Sequence, residues 1–89
     1  GKTHAPGDAY QQARKCFEII QASRAKLDVP MSKIVRTRMF VTDISRWQEF
    51  GRAHAEFFAD SPPTTTMVEV SKLIDPQMLI EIEADAYLG

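Results

Sequence analysis

Apolar residues recur along this chain at two different spacings, and the switches between them mark out five elements. Ala9, Ala13, Cys16, Phe17 and Ile20 return every three or four positions, while Gln11, Gln12, Arg14, Lys15 and Glu18 fall between them. That pattern predicts an amphipathic helix with the second group facing solvent. Asp8 follows a turn-like opening and offers an oxygen to cap the first amides, with Gln11 three residues on. Pro30 ends the helix by about Asp28, because the residue before a proline is pushed out of the helical region. From Lys33 to Thr42 β-branched and aromatic residues dominate and predict a strand. Alternation puts Val35, Thr37, Met39 and Val41 on one face and Ile34, Arg36, Arg38 and Phe40 on the other. The first face suits a layer of helices, and the second is mixed, as at a contact between subunits.

Helical spacing then returns. Asp43 or Ser45 can cap a second helix with Gln48 in its first turn, and Trp47, Phe50, Ala53, His54 and Phe57 form its stripe. It should run to about Ala59, because Ser61-Pro62-Pro63 removes backbone donors and holds the chain extended. Two strands follow. Thr65 to Ser71 alternates Thr66, Val68 and Val70 against Thr65, Met67 and Glu69. Met78 to Tyr87 alternates Met78, Ile80, Ile82, Ala84 and Ala86 against Leu79, Glu81, Glu83 and Asp85. Asp75-Pro76 marks the turn between them. The order helix, strand, helix, strand, strand predicts an α+β fold, one domain over residues 1–89 with helices on one face of a small mixed sheet. The chain opens on a helix with no strand before it to pack on, so N-terminal strands are expected to be missing.

Composition narrows the function classes. Lys plus Arg total 11 and Asp plus Glu total 12, interleaved along the chain for a formal net charge of -1, so no basic footprint for nucleic acid is present. No apolar run reaches the length of a membrane span and no leader-like pattern opens the sequence; a cytoplasmic location is expected. Such a short chain buries only about 60–65% of its unfolded surface, which favours self-association.

Side-chain chemistry is sparse. No Gly-rich phosphate loop, Gly-x-Ser-x-Gly, His-Glu-x-x-His or Cys-x-x-Cys is present, and no metal or cofactor is implied. The single cysteine, Cys16, sits in an apolar stripe where a thiol acts as a small hydrophobe. His4 lies in the opening turn, and His54 reads as a packed or helix-surface histidine. Glu81, Glu83 and Asp85 share a strand face. They read either as a solvated row or as a row containing a buried acid or base, and Arg36 and Arg38 would neutralise them if the strands are neighbours.

The last third carries a resemblance. Pro62-Pro63-Thr64-Thr65-Thr66-Met67-Val68-Glu69-Val70, then Leu73, then Leu79-Ile80-Glu81-Ile82-Glu83-Ala84 resembles the closing signature of the Rid family. These are the YjgF-like reactive intermediate deaminases, also labelled endoribonuclease L-PSP, whose signature reads Pro-Ala-Arg-Ser/Thr-x-Val-Glu-Val and then Ile/Val-Glu-Ile-Glu-Ala. Asp8 to Ile20, Ile34 to Asp43 and Trp47 to Phe58 are similar to that family's first helix, central strand and second helix. The resemblance implies a chorismate-mutase-like fold and a cytoplasmic homotrimer with small-molecule clefts between subunits. It also implies hydrolysis of enamines and imines to keto acids and ammonia. An arginine there binds the substrate carboxylate and a glutamate positions water. Glu81 falls on the glutamate, and Thr65 stands where the arginine is expected, beside Thr66 and Met67 as further ligand contacts. Gly51 replaces an asparagine often found near the cleft. A hydroxyl cannot replace a bidentate guanidinium, and a lost charge-assisted pair costs about 1.5–3 kcal/mol.

Three functions follow from this. The chain is a divergent cleft protein for a small molecule other than an imino acid, with Glu81 orienting water. Alternatively, it is an imine deaminase whose arginine comes from elsewhere, as Arg36, Arg38 or Arg52. The third is a non-catalytic structural or partner-binding trimer. The ribonuclease label of the family gains no support from the charge.

Overall fold

The computed structural model describes residues 5–88, so His4 lies outside the described residues. Helix α1 spans Ala9–Lys26, strand β1 Ile34–Val41, helix α2 Trp47–Phe58, strand β2 Thr64–Glu69 and strand β3 Ile80–Ala86. Asp8 caps α1 by accepting the Gln11 amide at 3.0 Å. The helix ends with Asp28 in the left-handed region at φ 57, where its amide donates to Ala25 and that of Val29 donates to Arg24. This closing pattern satisfies the last carbonyls, and Pro30 follows it.

β1 lies between the other two strands, parallel to β2 and antiparallel to β3. A parallel pair needs a crossover, and α2 supplies it. Both helices cover one face, where Ala9, Ala13, Phe17, Ile34, Met39, Val41, Phe50, Ala53, Phe58 and Ile80 form the core. Phe17 is fully buried beneath the rings of Phe57 and Phe58, and truncating such a residue costs about 3–5 kcal/mol. Across the helix pair, Glu56 accepts hydrogen bonds from Tyr10 and Arg14, while Arg52 stacks 3.9 Å over the Tyr10 ring. The Tyr10 hydroxyl, then Arg14, holds the Glu56 carboxyl below its ordinary range.

Three expectations need correction. Gln12 does not face solvent: it is 5% exposed, its amide nitrogen donates to the carbonyls of Ala5 and Gln77, and its oxygen accepts the Leu79 amide at 2.7 Å. It is buried because it pairs the Gln77 carbonyl and the Leu79 amide just before β3, and it ties them to the Ala5 carbonyl ahead of α1. Ile34 joins the core face instead of the arginine face, since the register slips by one between Ile34 and Arg36 and turns Val35 outward. Trp47, placed in the α2 stripe, is 56% exposed because it begins the helix just after the 3-10 turn Ile44–Arg46, while Phe58 is buried at the far end.

Candidate functional site

Residues paired across strands share a face, so the register assigns every candidate to a side of the sheet. The row Thr65, Thr37, Ala84 and the row Met67, Met39, Ile82 face the helices. The rows Thr64, Arg36, Asp85, then Thr66, Arg38, Glu83, then Val68, Phe40, Glu81 lie on the reverse face, which no helix covers. Thr65 and Glu81 are therefore on opposite faces of one chain. Gly51 sits on α2, where a Cβ would meet nothing within 4 Å.

On the open face the arginines neutralise the acidic row as the alternation suggested, but incompletely. Arg38 donates to Glu83 at 2.9 Å and lies 3.4 Å from Asp85, while Arg36 pairs with Asp85 at 3.1 Å. Glu83 first, then Asp85, holds the Arg38 pKa above its ordinary value. Glu81 is opposite Phe40, and among the described residues no lysine or arginine pairs with it. It is exposed, as is Glu83. Val68 and Val35 are 40% and 48% exposed, so this face mixes apolar surface, two ion-paired rows and one uncommitted carboxylate. Of the arginines considered as substitutes, Arg36 and Arg38 are held by these pairs, and Arg52 by the Tyr10 ring.

On the helix face, three polar side chains from three elements meet. Thr37 Oγ1 lies 2.9 Å from His54 Nε2 and 3.0 Å from Thr65 Oγ1, and Thr65 Oγ1 is 3.1 Å from the same nitrogen. Thr37 is fully buried and Thr65 exposed, so the cluster leads from the core to the surface. The His54 ring packs on Phe17 and Phe58, and burial pushes its pKa down. Sequence reasoning placed Thr65 at a ligand and His54 on a helix without linking them. The one available signal was a polar Thr37 on the apolar face of β1.

The Cys16 thiol is pushed up by burial and then by the negative charge of Glu81. Among the described residues no three His, Cys, Asp or Glu side chains are grouped to hold a metal ion. No described helix is long and apolar enough to cross a membrane. A surface cleft of about 240 Å³ between Met31, Ser32 and the Glu56 to Ser61 segment includes none of the candidates.

Residues 1–88 match the sequence profile of the family described as Endoribonuclease L-PSP. A RutC family protein of Pyrococcus horikoshii is 32% identical over 81 residues, which cover 91% of this chain and 64% of that protein. A crystal structure of a Mycobacterium tuberculosis member of the YjgF/YER057c/UK114 family superposes with a TM-score of 0.90 at 44% identity, covering 99% of this chain and 75% of the other. A Yersinia pestis protein of the conserved Rid family superposes with a TM-score of 0.85 at 30% identity, over 91% and 64% of the two chains. This chain thus spans about two-thirds or less of the length of the curated relatives it matches.

Proposed function

Because this chain belongs to the Endoribonuclease L-PSP family, which includes the YjgF and Rid proteins, we propose that it is a divergent Rid-type subunit that takes a small molecule at a cleft between copies. The copies form a cytoplasmic homotrimer in this reading, and Glu81 orients water toward the bound molecule. The observation that carries it is the division of Thr65 and Glu81 between opposite faces of the sheet. One chain cannot hold a ligand between them, whereas the open face of one copy against the Thr65 edge of another can. Thr65, Thr66, Met67 and the space over Gly51 are its ligand contacts. At Thr65 the ligand meets a hydroxyl instead of a guanidinium, so the site does not fix a carboxylate as an arginine does.

A relocated arginine remains a second reading, favoured by one observation. Arg38 is on the same face as Glu81, one residue pair along, a diagonal separation of roughly 7–8 Å. Its existing pairs with Glu83 and Asp85 oppose that role.

Ammonia or keto-acid release from freshly generated iminopropionate separates these readings. Wild type is expected to be slow, Thr65→Arg to gain activity, and Glu81→Ala in that background to lose it, since fixing the imine beside an oriented water removes several kcal/mol of barrier. Wild-type activity equal to that of an arginine-bearing relative, abolished by Arg38→Met, would establish the second reading. Inactivity of every variant and no ligand-induced thermal shift would leave the non-catalytic trimer.

A further inference from the structure

The Thr37, His54 and Thr65 cluster is a hydrogen-bonded triangle with fewer protons than its partners can use. With the imidazole proton on Nδ1, two hydroxyl protons serve three contacts and Nε2 accepts one of them. With the proton on Nε2, a directed chain runs from His54 to Thr37, to Thr65, and out to the Pro63 carbonyl at 3.3 Å. The neutral cluster therefore shows the surface one hydroxyl that donates or accepts and carries no net charge. A protonated imidazole spreads a positive charge over its ring, with Nε2 3.1 Å behind that hydroxyl.

We propose that His54 determines ligand specificity at Thr65. While neutral, it makes the site fit an uncharged amide, carbonyl or hydroxyl group. Once protonated, it makes the same site a carboxylate receptor. The inference rests on the reading that Thr65 contacts the ligand, and it adds a residue and a ligand chemistry to it.

The surroundings of the ring support this assignment. Phe17 from α1, Phe58 from α2, Thr37 from β1 and Thr65 from β2 face it, and none of these side chains titrates near neutrality. Among the described residues no neighbouring carboxylate offsets the imidazolium charge, and burial is what pushes the ring toward its neutral form. A charge formed there is felt at Thr65, the exposed member of the cluster.

The test is NMR titration of the full chain with propionamide and with propionate, two probes of one shape that differ in charge, at about pH 7.5 and at a lower pH where the His54 ring resonances report the imidazolium, with propionate affinity referred to its ionised form. Propionamide is expected to shift the Thr65 and His54 resonances at both pH values. Propionate should bind at least about tenfold more tightly at the lower pH. His54→Gln keeps a hydrogen-bonding amide but cannot charge, so it should abolish the pH dependence for propionate and retain propionamide binding. Thr65→Val, at an exposed position, should remove both responses without unfolding the chain. Equal propionate affinity at the two pH values, or pH dependence that persists in His54→Gln, overturns the proposal. Shifts around Glu81 with none at Thr65 overturn it while leaving the cleft reading intact. No shift at either place overturns both.

Discussion

Replacing Gln12 with methionine tests how the start of β3, and with it Glu81, is held in place. Methionine keeps nearly the volume of glutamine, so no cavity opens, but three hydrogen bonds disappear: those to the carbonyls of Ala5 and Gln77 and that from the Leu79 amide. A neutral hydrogen bond contributes about 0.5–1.5 kcal/mol net, and a buried donor left unpaired costs about 1–3 kcal/mol. Gln77 is exposed and Ala5 half-buried, so water replaces part of the loss there, whereas the Leu79 amide points into a side chain that is 5% exposed. The expected loss is about 2–3 kcal/mol, from a total stability of roughly 5–15 kcal/mol. For a domain of this size that lowers Tm by about 10–20 °C. Urea denaturation of both proteins at one fixed concentration measures the loss, because the proposed association would make stability concentration-dependent. Hydrogen exchange at Leu79 locates it. A variant within about 0.5 kcal/mol of wild type, with Leu79 still protected, would refute the assignment of this stabilisation to Gln12. Any Glu81-dependent activity should fall in parallel, since Leu79 is two residues before Glu81.

Other perturbations probe the remaining parts. Gly51→Ala should stabilise the ligand-free protein by about 0.5–1 kcal/mol, because a helix-interior glycine gains from a methyl group with nothing within 4 Å of it; a loss instead, seen by thermal denaturation without ligand, would mean that another chain already fills that space. Burial holds the His54 pKa below its unfolded value, so stability should be full above about pH 6.5 and decline as pH falls from there through the folded value. His54→Phe should remove that component of the acid slope, and an unchanged slope would show that His54 does not titrate in the unfolding transition. Arg38→Met should lower Tm more at high protein concentration than at low if copies cover the open face as proposed, because Glu83 is then left unpaired away from water while Asp85 keeps Arg36. A shift independent of concentration would place that face in solvent.

Much of the architecture was legible because it is local. Ala9, Ala13 and Phe17 repeat at helical spacing, Asp8 caps, Pro30 stops, and the alternation in β3 separates Ile80, Ile82 and Ala84 from Glu81, Glu83 and Asp85 as the register does. What escaped depends on partners distant in sequence. Gln12 looks like any polar residue until the backbone groups 65 and 67 positions away are brought to it. Ile34 changed face because a one-residue bulge shifts phase, and hydrophobic alternation does not register a bulge when the residues on both sides of it, Ile34 and Val35, are apolar. The family resemblance singled out Thr65 and Glu81. Their placement on opposite faces follows only from the parallel register of β2 and the antiparallel register of β3, which the sequence does not encode locally. The link from Thr65 to His54 and Thr37 is likewise a product of three elements meeting.

The open face also explains why Glu81 differs from the acids beside it. Along β3 the side chains of Glu81, Glu83 and Asp85 repeat at the same interval, and nothing in their spacing distinguishes one from another. Their partners on β1 do: Asp85 is opposite Arg36, Glu83 opposite Arg38, and Glu81 opposite Phe40. Each of the two arginine-paired carboxylates has one oxygen committed to a fixed N–H donor and its charge offset by a guanidinium, which weakens it as an acceptor for a reacting water. Glu81 gives up nothing, and its neighbours Phe40 and Val68 are apolar surfaces that exclude competing solvent once a ligand or a second copy lies over them. The alternation of arginine, arginine and phenylalanine on one face of β1 therefore leaves Glu81 as the one carboxylate of this row without an arginine opposite it, which is what the proposed role at a cleft between copies requires.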